Sequence, residues 1–583
     1  MNDTTKKSMS VVATGAIIIT VGTFVSRLLG LVKENLINNF TDSAIILDVY
    51  RTAFQLPDIV YNLLAGGALS AAFIPVFASL ISEGKKEESN RTASSVINIL
   101  LLAIIFALTI IFIFTPQLVH IIASTATGGE FNLIVILTRE LSVMVIFTAL
   151  SGLFTGMLQS YKNYLVPVVI WNVYNIFSIL GVAVFSKIPN YAFFPSFLHM
   201  KGETIGIHGL ALGVITGAIA MAVIQIPYLY KNGFKFHPIF DVKSPSVRQI
   251  GILFLPVMIG LALSQFNMLQ LPQMLGWQIG GENGGDGAPN AMYNANRMIL
   301  LPMGLFAISF STAAFPVLSK LANDYNKQEF IETFNKSLRS ILLFIFPCSI
   351  GLLTLAYPIM LLLYAGKNLD YTGLTAASLA LASLSIGLIG TSMIQIINRG
   401  FYSMKNTLTP VIVNVLMVVT NVLLALFFIR VLHLSVCGIG FSATITSTIA
   451  AFTLFFILSK KLGGIDGYKT LKISVKMLVS ALIMGIVVVL AAHLLAPTVL
   501  VGSAEIKVSP LSQEWLQFPD FANANKSVPT AIGAISYRMA LFVQVAISVS
   551  LGALTYLGCL IVLKVPGIEP YVDKFLRKLR IRK

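Results

Sequence analysis

Charged residues are scarce in this chain. Asp, Glu, Lys and Arg make up 11% of its 583 residues, whereas hydrophobic residues make up 56% and the mean hydropathy is +0.85. Soluble domains contain about 25% charged residues, so this composition excludes a soluble globular protein. Apolar runs of about 20 residues recur along the chain, and the alternation typical of barrel strands does not. The sequence therefore predicts an all-α polytopic membrane protein.

Cysteine and histidine are also sparse, with three Cys and six His in the whole chain. The cysteines have no paired spacing, and the histidines show no H-x-x-x-H pattern, so we expect neither disulfides nor a metal site. Phosphate-loop and nucleophile-elbow motifs are absent as well, which argues against an ATPase or another enzyme. We expect a transporter without catalytic residues or a cofactor. The coupling ion stays open, and the membrane potential is the expected driving force.

About fourteen apolar spans are predicted by length and hydropathy. They are residues 11–32, 45–82, 93–118, 132–159, 163–186, 206–230, 247–278, 289–320, 336–365, 373–404, 408–431, 436–460, 470–496 and 537–564. Lys and Arg accumulate in alternate loops, which places those loops and both termini in the cytoplasm. The net charge of +16 follows this asymmetry, so it indicates topology and attraction to anionic lipid and does not indicate nucleic-acid binding.

Two short segments occur twice. Residues 162–168 (KNYLVPV) resemble residues 405–411 (KNTLTPV) at an offset of 243 residues (410 − 167), and residues 71–76 resemble residues 312–317 at an offset of 241 (316 − 75). A near-constant offset at two separate places indicates a duplicated chain. The offset contains six spans, an even number, so both copies enter the membrane in the same orientation and form a parallel repeat.

This repeat divides the chain into two six-helix halves followed by two additional helices. The predicted segments are a cytoplasmic N-terminus (1–10), an N-terminal half (11–230), a basic cytoplasmic linker (231–246), a C-terminal half (247–460), two additional helices (461–565) with an extracytoplasmic loop (497–536), and a basic cytoplasmic tail (566–583).

Four of the arginines within predicted spans are candidates for a binding site, because a charge there costs at least about 2.5 kcal/mol if it faces lipid. They are Arg27, Arg139, Arg297 and Arg399. Because carboxylates are few in the spans and Arg presents a planar fork of donors that matches phosphate, we interpret them as a site for an anionic substrate. For Arg27 the alternative is that its side chain extends to the outer interface or pairs with a helix end.

Several charged residues near these arginines have two interpretations. Lys33 and Glu34 either belong to the substrate site or form an interfacial ion pair. Asp48 either caps a helix N-terminus or acts as a gate that competes for an arginine. Glu140 is the one carboxylate in the predicted spans that could couple ion movement to transport, so we assign it a gating or coupling role with Asp48 and Glu34.

Three residues are predicted hinges. Pro302 and Gly304 follow Arg297 in the eighth span and would allow a local break in that helix. Gly30 is the third predicted hinge, in the first span.

Several motifs carry a family resemblance. They are residues 26–34 (SRLLGLVKE), Asp48, residues 53–58 (AFQLPD), residues 67–76 (GALSAAFIPV), residues 301–306 (LPMGLF), residues 315–316 and residues 399–410 (RGFYSMKNTLTP). Together they resemble the lipid II flippase (MurJ, or MviN) family of the multidrug/oligosaccharidyl-lipid/polysaccharide exporter superfamily. The resemblance covers about residues 11–565 and implies fourteen helices in the bacterial cytoplasmic membrane.

The resemblance implies that the substrate is lipid II, an undecaprenyl-diphosphate-linked disaccharide-pentapeptide, moved from the inner to the outer leaflet by alternating access for peptidoglycan synthesis. Arg27 and Arg297 would bind the diphosphate and sugar region, and Lys33, Glu34 and Asp48 would hold further charged positions of the family. The bilayer is a partner, and peptidoglycan synthases are candidate partners. The alternatives are an exporter of another polyprenyl-diphosphate-linked oligosaccharide, a drug/cation antiporter, and a membrane-embedded enzyme acting on polyprenyl phosphates.

The chain departs from the family at four positions. Tyr61, Asn62 and Gly66 stand where many relatives have an Arg-Arg pair and a later Glu, and Leu300 stands where some have an acid after the arginine of span eight. A gate built on those charges is therefore in doubt for this chain.

Overall fold

The structure is a computed structural model of a predominantly helical, multi-pass membrane protein. It describes residues 25–26, 28–30, 32–37, 40, 44–64, 68–126, 128–161, 163, 165–188, 206–252, 254, 258, 266–267, 271–279, 288–323, 326–364, 371–404, 406, 408–465, 467–501, 504–507 and 535–566. Within these residues, 11 helices are long and apolar enough to cross a membrane. The prediction of a polytopic helical membrane protein is thus confirmed, whereas the number fourteen and the side of each terminus stay predictions.

The chain divides into two compact units near residue 270. The helices of the first unit are α1 (Ala44–Ala53), α2 (Gln55–Leu64), α3 (Ala68–Ser82), α4 (Lys86–Ile122), α5 (Gly128–Ser160), α6 (Leu165–Ala183) and α7 (Ile207–Lys231). The second unit contains α8 (Leu271–Gly276), α9 (Ala288–Pro302), α10 (Ser309–Asn323), α11 (Lys327–Thr354), α12 (Ala356–Tyr364), α13 (Tyr371–Ser403), α14 (Leu408–Arg430), α15 (Ser435–Lys461), α16 (Gly467–Leu494), β1 (Thr498–Val501), β2 (Ala504–Lys507) and α17 (Ile535–Val562). A short 3₁₀ turn, Phe185–Lys187, follows α6.

Helices of the two units begin at equivalent positions. The pair α3 and α10 starts 241 residues apart (309 − 68), and so does the pair α4 and α11 (327 − 86). The pairs α5 and α13 (371 − 128) and α6 and α14 (408 − 165) start 243 residues apart. These offsets equal those of the two sequence repeats, so the repeated segments take the same positions in the secondary structure of both units.

The repeated Lys-Asn segment starts a helix in both units by the same contacts. The Asn163 side-chain oxygen accepts a hydrogen bond from the Val166 backbone N–H at 3.5 Å, and Asn406 accepts one from Thr409 at 3.2 Å. In each copy the proline is the third residue of the following helix, where its missing N–H would have no intrahelical partner. The duplicated motif is therefore a helix N-cap.

The predicted span 45–82 is wrong as a single helix, because the structure breaks it into α1, α2 and α3. Phe54 forms a turn between α1 and α2. Pro57 has no N–H to donate to the Ala53 carbonyl, so α1 ends there and the Asp58 N–H bonds to the Phe54 carbonyl at 2.9 Å in the new helix. Short polar-faced helices in a membrane span are typical of regions that line a site.

The equivalent region of the second unit contains a π-helical turn. Met303–Ile308 forms this turn between α9 and α10, directly after Pro302. The Ser309 hydroxyl donates to the Gly304 carbonyl five residues earlier, at 2.8 Å, a separation that fits the wider turn. The predicted local break at Pro302 and Gly304 thus corresponds to a change of helical geometry, while their role as hinges, like that of Gly30, stays a prediction.

A small antiparallel hairpin departs from the all-α prediction. Strands β1 and β2 pair in register from Thr498 opposite Lys507 to Val501 opposite Ala504. The two strands follow α16 and lie outside its apolar span. Their Thr, Val and Ile residues favour an extended backbone, and apolar and charged residues alternate along β2. The hairpin occupies the start of the predicted loop 497–536, whose residues 508–534 lie outside the described part of the chain.

Candidate functional site

A buried ion pair lies at the start of the first unit. The Arg51 guanidinium, on α1, donates to Oε2 of Glu34 at 2.6 Å, and the two residues are only 3% and 5% exposed. The Lys33 ammonium lies 3.5 Å from the other carboxylate oxygen, so Glu34 bridges two cations. A carboxylate held this way in a low-dielectric site is strongly attracted to both partners. Two cations thus share one carboxylate, and the buried Asp48 lies three residues before Arg51 on α1.

Helix α1 presents a polar face at helical spacing. Asp48, Arg51 and Thr52 follow one another at steps of three residues and one residue, and all three are buried, as is Gln55 at the start of α2. The opposite side of α1 is fixed by an apolar cluster of Ile37, Leu47, Tyr50, Val182 and Leu210. Because that cluster joins α1 to α6 and α7, the charged face of α1 is held in one orientation.

The position of Asp48 tests the interpretation that it caps a helix N-terminus. Helix α1 begins at Ala44, and its first turn contains no acid. Asp48 is the fifth residue and is completely buried, so it does not lie where a side chain caps a helix N-terminus. The capping interpretation is therefore wrong for this helix, and the gating role stays a prediction.

Helix α6 supports the other side of this region. The Lys33 ammonium lies 5.8 Å from the centre of the Tyr174 ring. The neighbouring Asn175 amide donates to both the backbone oxygen and the hydroxyl of Ser26, at 3.1 Å each. Ser26 directly precedes Arg27, which lies outside the described residues, so the structure gives no geometry for that arginine.

Glu140 and Arg139 are adjacent on α5 but point to different neighbours. Both carboxylate oxygens of Glu140 lie 2.9 Å from Nδ1 of His208 at the start of α7. The Arg139 guanidinium lies instead 5.8 Å from the ring centre of Phe112 on α4. His208 was missed from the sequence, because a lone histidine in an apolar chain carries no spacing signal. The contact gives Glu140 an imidazole partner on another helix.

Arg297 is the main cation of the second unit. It is exposed on α9, whereas its neighbours Asn296 and Met298 are buried. Its guanidinium donates to the Tyr293 hydroxyl at 2.6 Å and lies 4.9 Å from the centre of the same ring. The Tyr293 ring and hydroxyl thus orient the guanidinium on α9.

Arg399 lies at a different level of the second unit. Its guanidinium is 5.2 Å from the Phe315 ring centre, near the end of α13. Phe315 follows Arg297 by 18 residues along α9 and α10, a helical rise of about 27 Å. One diphosphate could not contact Arg297 and Arg399 at once over that distance. The substrate-binding roles predicted for Lys33, Arg139, Arg297 and Arg399 remain predictions, and the structure places Arg51 beside the same carboxylate as Lys33.

The structure describes three of the four positions at which this chain departs from the family. Tyr61 and Asn62 are half-buried on α2, and Leu300 is half-buried on α9. Gly66 lies outside the described residues. Within the part of the chain that the structure describes, no group of three His, Cys, Asp or Glu side chains could hold a metal ion.

Known proteins are similar to this chain in sequence and in fold. The profile of the family described as Lipid II flippase MurJ matches residues 39–508. A probable lipid II flippase MurJ from Buchnera aphidicola subsp. Baizongia pistaciae is 26% identical over 447 residues, which are 76% of this chain and 81% of that protein.

Solved structures give the same result for the fold. A lipid II flippase MurJ in an inward closed conformation superposes with a TM-score of 0.67 at 24% identity, over 97% of this chain and 100% of that one. An inward-facing multidrug resistance MATE family transporter of the MOP superfamily superposes with a TM-score of 0.61 at 16% identity, over 77% and 98%. Since the family profile matches well over half of the sequence, the chain belongs to the lipid II flippase MurJ family.

Proposed function

We propose that this protein moves lipid II from the inner to the outer leaflet of the bacterial cytoplasmic membrane, for peptidoglycan synthesis and thus cell shape. The observation that carries the proposal is the family match over residues 39–508. The cationic residues of both units support it, because a polyprenyl diphosphate is an anion whose charged head group cannot cross hydrocarbon unaided. No step of this transfer requires a covalent bond to be broken, so the protein acts as a transporter and not as an enzyme.

The proposed topology has fourteen spans with both termini in the cytoplasm. It is supported by the loop charges and by the equal helix offsets of the two units, which fit six spans per copy in parallel orientation. Helices α16 and α17 would then be additions to the duplicated core. Peptidoglycan synthases, which use lipid II on the outer side, remain proposed partners.

Arginines beside aromatic rings would hold the diphosphate. Arg297, oriented by Tyr293, would contact a phosphate, whereas Lys33, which lies against Tyr174 and 3.5 Å from the Glu34 carboxylate, would exchange that carboxylate for a phosphate. The polyprenyl chain would stay in lipid while the head group moves through protein by alternating access. An inside-negative potential favours outward movement of an anion by about 2.3 kcal/mol per charge per 100 mV.

Release requires that the phosphate does not stay trapped on several cations. Glu34 already neutralises part of the charge of Arg51 and Lys33. We infer that Glu34 competes with the diphosphate for these cations and thereby limits the affinity. If Glu34→Gln leaves the rate of transport unchanged, the competition mechanism is wrong.

The test is the exposure of lipid II in cells depleted of this protein, measured with an external toxin or label that reacts only with outer-leaflet precursor. We expect outward lipid II to fall while total lipid II accumulates. The wild-type chain should restore exposure and Arg297→Ala should not. Arg430→Ala is the matched control, because Arg430 is exposed at the end of α14 and contacts Gln278 at 3.0 Å.

The same experiment separates the alternative. If outward lipid II is unchanged after depletion, while another polyprenyl-diphosphate-linked glycan accumulates inside, the protein exports that glycan. If the purified protein cleaves a polyprenyl phosphate bond, the transporter assignment fails.

A further inference from the structure

The linker between the two units folds back on the cytoplasmic end of α4. Residues 233–246, here called the linker hairpin, leave α7 at Gly233 and run along α4 before returning. Asn90 donates to the Gly233 carbonyl at 3.4 Å, and Asn98 donates to the Ile239 carbonyl at 2.8 Å. These two amides, eight residues apart on α4, set the base and the tip of the hairpin.

The returning segment of the linker hairpin is also hydrogen-bonded to α4. The Asp241 N–H donates to the Ser95 hydroxyl at 3.3 Å, and the Ser246 hydroxyl donates to Glu88 at 3.1 Å. The outgoing and the returning parts of the linker hairpin are therefore both hydrogen-bonded to α4. This backbone path fixes which side chains face α4 and which face away from it.

Apolar and basic side chains of the linker hairpin face outward. Phe236, Phe240 and Val242 are 43%, 54% and 55% exposed, and Lys235 and Lys243 are exposed beside them. By contrast, Phe234 is 4% exposed and packs inward. In contact with water alone, three exposed large apolar side chains in one short loop would form an unfavourable apolar patch.

Helix α4 shows the level at which these side chains lie. Its most exposed apolar residues run from Leu102 to Ile121, a rise of about 29 Å, which equals the roughly 30 Å thickness of the hydrocarbon core. Asn98, at the hairpin tip, precedes Leu102 by about 6 Å of helix. The tip therefore lies at the boundary between hydrocarbon and head groups.

The end of α7, beside the base of the hairpin, also carries aromatic side chains typical of the membrane interface. Tyr228 and Tyr230, 42% and 55% exposed, lie in its last turn directly before the linker hairpin. Exposed tyrosines at helix ends are typical of the membrane interface. Aromatic rings at this depth are stable, and lysines just beyond it lie among lipid phosphates.

We propose that the linker hairpin docks on the cytoplasmic leaflet, with Phe236, Phe240 and Val242 in the interface and Lys235 and Lys243 on the head groups of anionic phospholipid. The occupant is the bilayer because the apolar side chains lie at its boundary and Lys235 and Lys243 flank them, while the one acid among them, Asp241, accepts a hydrogen bond from the Ser244 backbone N–H at 3.0 Å. Lys85 is not part of this surface, since it is paired with Glu83 at 2.7 Å. The hairpin thereby anchors the segment that joins the two units to the membrane.

The experiment uses tryptophan quenching in the full chain reconstituted into vesicles of acyl-brominated phosphatidylcholine, with or without phosphatidylglycerol. The variants are Phe240→Trp and Phe236→Trp, and the signal of the native tryptophans is subtracted with the parent protein. Phe234→Trp is the buried control in the same hairpin. Phe106→Trp, on the 67% exposed position of α4, is the control for the hydrocarbon core.

We expect both hairpin tryptophans to lose fluorescence in brominated vesicles, most strongly with bromine near the head-group end of the acyl chain. Phe106→Trp should lose more with bromine near the chain end, and Phe234→Trp should lose little. Lys235→Ala combined with Lys243→Ala should reduce the loss at position 240 only when phosphatidylglycerol is present.

Three results would overturn the proposal. Absence of quenching at positions 236 and 240 would show that the surface faces water or is covered by protein. Equal quenching with and without phosphatidylglycerol would remove the anionic head groups from it. A change only on addition of lipid II would assign the surface to the transported substrate. None of these measurements depends on transport, so failure of the flippase proposal would not affect them.

Discussion

The buried pair of Glu34 and Arg51 supports a quantitative prediction. Glu34 lies between two cations, 2.6 Å from Arg51 and 3.5 Å from Lys33. Replacing Glu34 by Gln leaves both cations in the protein interior without the carboxylate that separates them. Replacing Arg51 by Met leaves Glu34 with Lys33 still beside it. We therefore expect Glu34→Gln to destabilise the fold more than Arg51→Met.

The magnitude follows from distance and burial. At 2.6 Å and an effective dielectric constant of about 20, the attraction of one ion pair is about 6 kcal/mol, and desolvation of two buried charges offsets much of it. Removing one partner of a buried pair typically costs about 3–5 kcal/mol, because the other charge stays buried. We expect Glu34→Gln near the upper end of this range and Arg51→Met near the lower end. The double substitution should recover at least about 2 kcal/mol relative to the sum of the two single changes.

The measurement is the free energy of unfolding in mixed detergent micelles, titrated with SDS and followed by circular dichroism. Glu83→Gln is the control, because its pair with Lys85 is exposed and should not move the unfolding curve. Additive effects of Glu34→Gln and Arg51→Met, with no recovery in the double variant, would refute the buried-pair argument. So would a smaller loss for Glu34→Gln than for Arg51→Met.

Two further predictions concern the second unit and the packing of the first. Tyr293→Phe keeps the ring but removes the 2.6 Å hydrogen bond to Arg297, so binding of lipid II should weaken by about 1 kcal/mol, roughly fivefold. Arg297→Lys should weaken binding more, because the planar fork of donors is lost. Equal affinities of these variants and the wild type, in equilibrium binding to the purified protein, would contradict this. Gly213→Leu should lower the midpoint of thermal unfolding strongly, since a Cβ there would lie 2.5 Å from the Gly181 Cα. Gly351→Ala should not lower it, because that glycine has open space around it. Equal midpoints for the two variants would contradict the close approach of α6 and α7.

Much of the helical layout could be predicted from the sequence. The predicted span 132–159 corresponds to α5 (Gly128–Ser160), and 408–431 corresponds to α14 (Leu408–Arg430). Such agreement is expected, because the hydrocarbon thickness fixes the length of an apolar helix and the polar flanks mark its ends. The break of span 45–82 was harder to predict, since a proline inside a predicted span can bend a helix as well as end it.

The side-chain partners of the site could not be predicted in the same way. Asp48 and Arg51 share a face of α1, which helical spacing reveals. The bond from Arg51 to Glu34 joins residues 17 positions apart, in separate helical segments, and depends on how the first unit packs. His208 beside Glu140 is a stronger case, because 68 residues separate the two.

The duplicated scaffold does not carry duplicated charges. At the offset of 241, Arg297 corresponds to Leu56 and Arg51 to Met292, and at the offset of 243 Glu140 corresponds to Ser383. The first unit therefore contains carboxylates bonded to basic side chains, whereas the main cation of the second unit lies against a neutral tyrosine. A cation beside a neutral ring can bind a phosphate directly, but a cation bonded to a carboxylate must first exchange partners. We infer that binding of an anion by the first unit would require exchange of its ion pairs, so the copies share a fold and differ in the partners of their charged side chains.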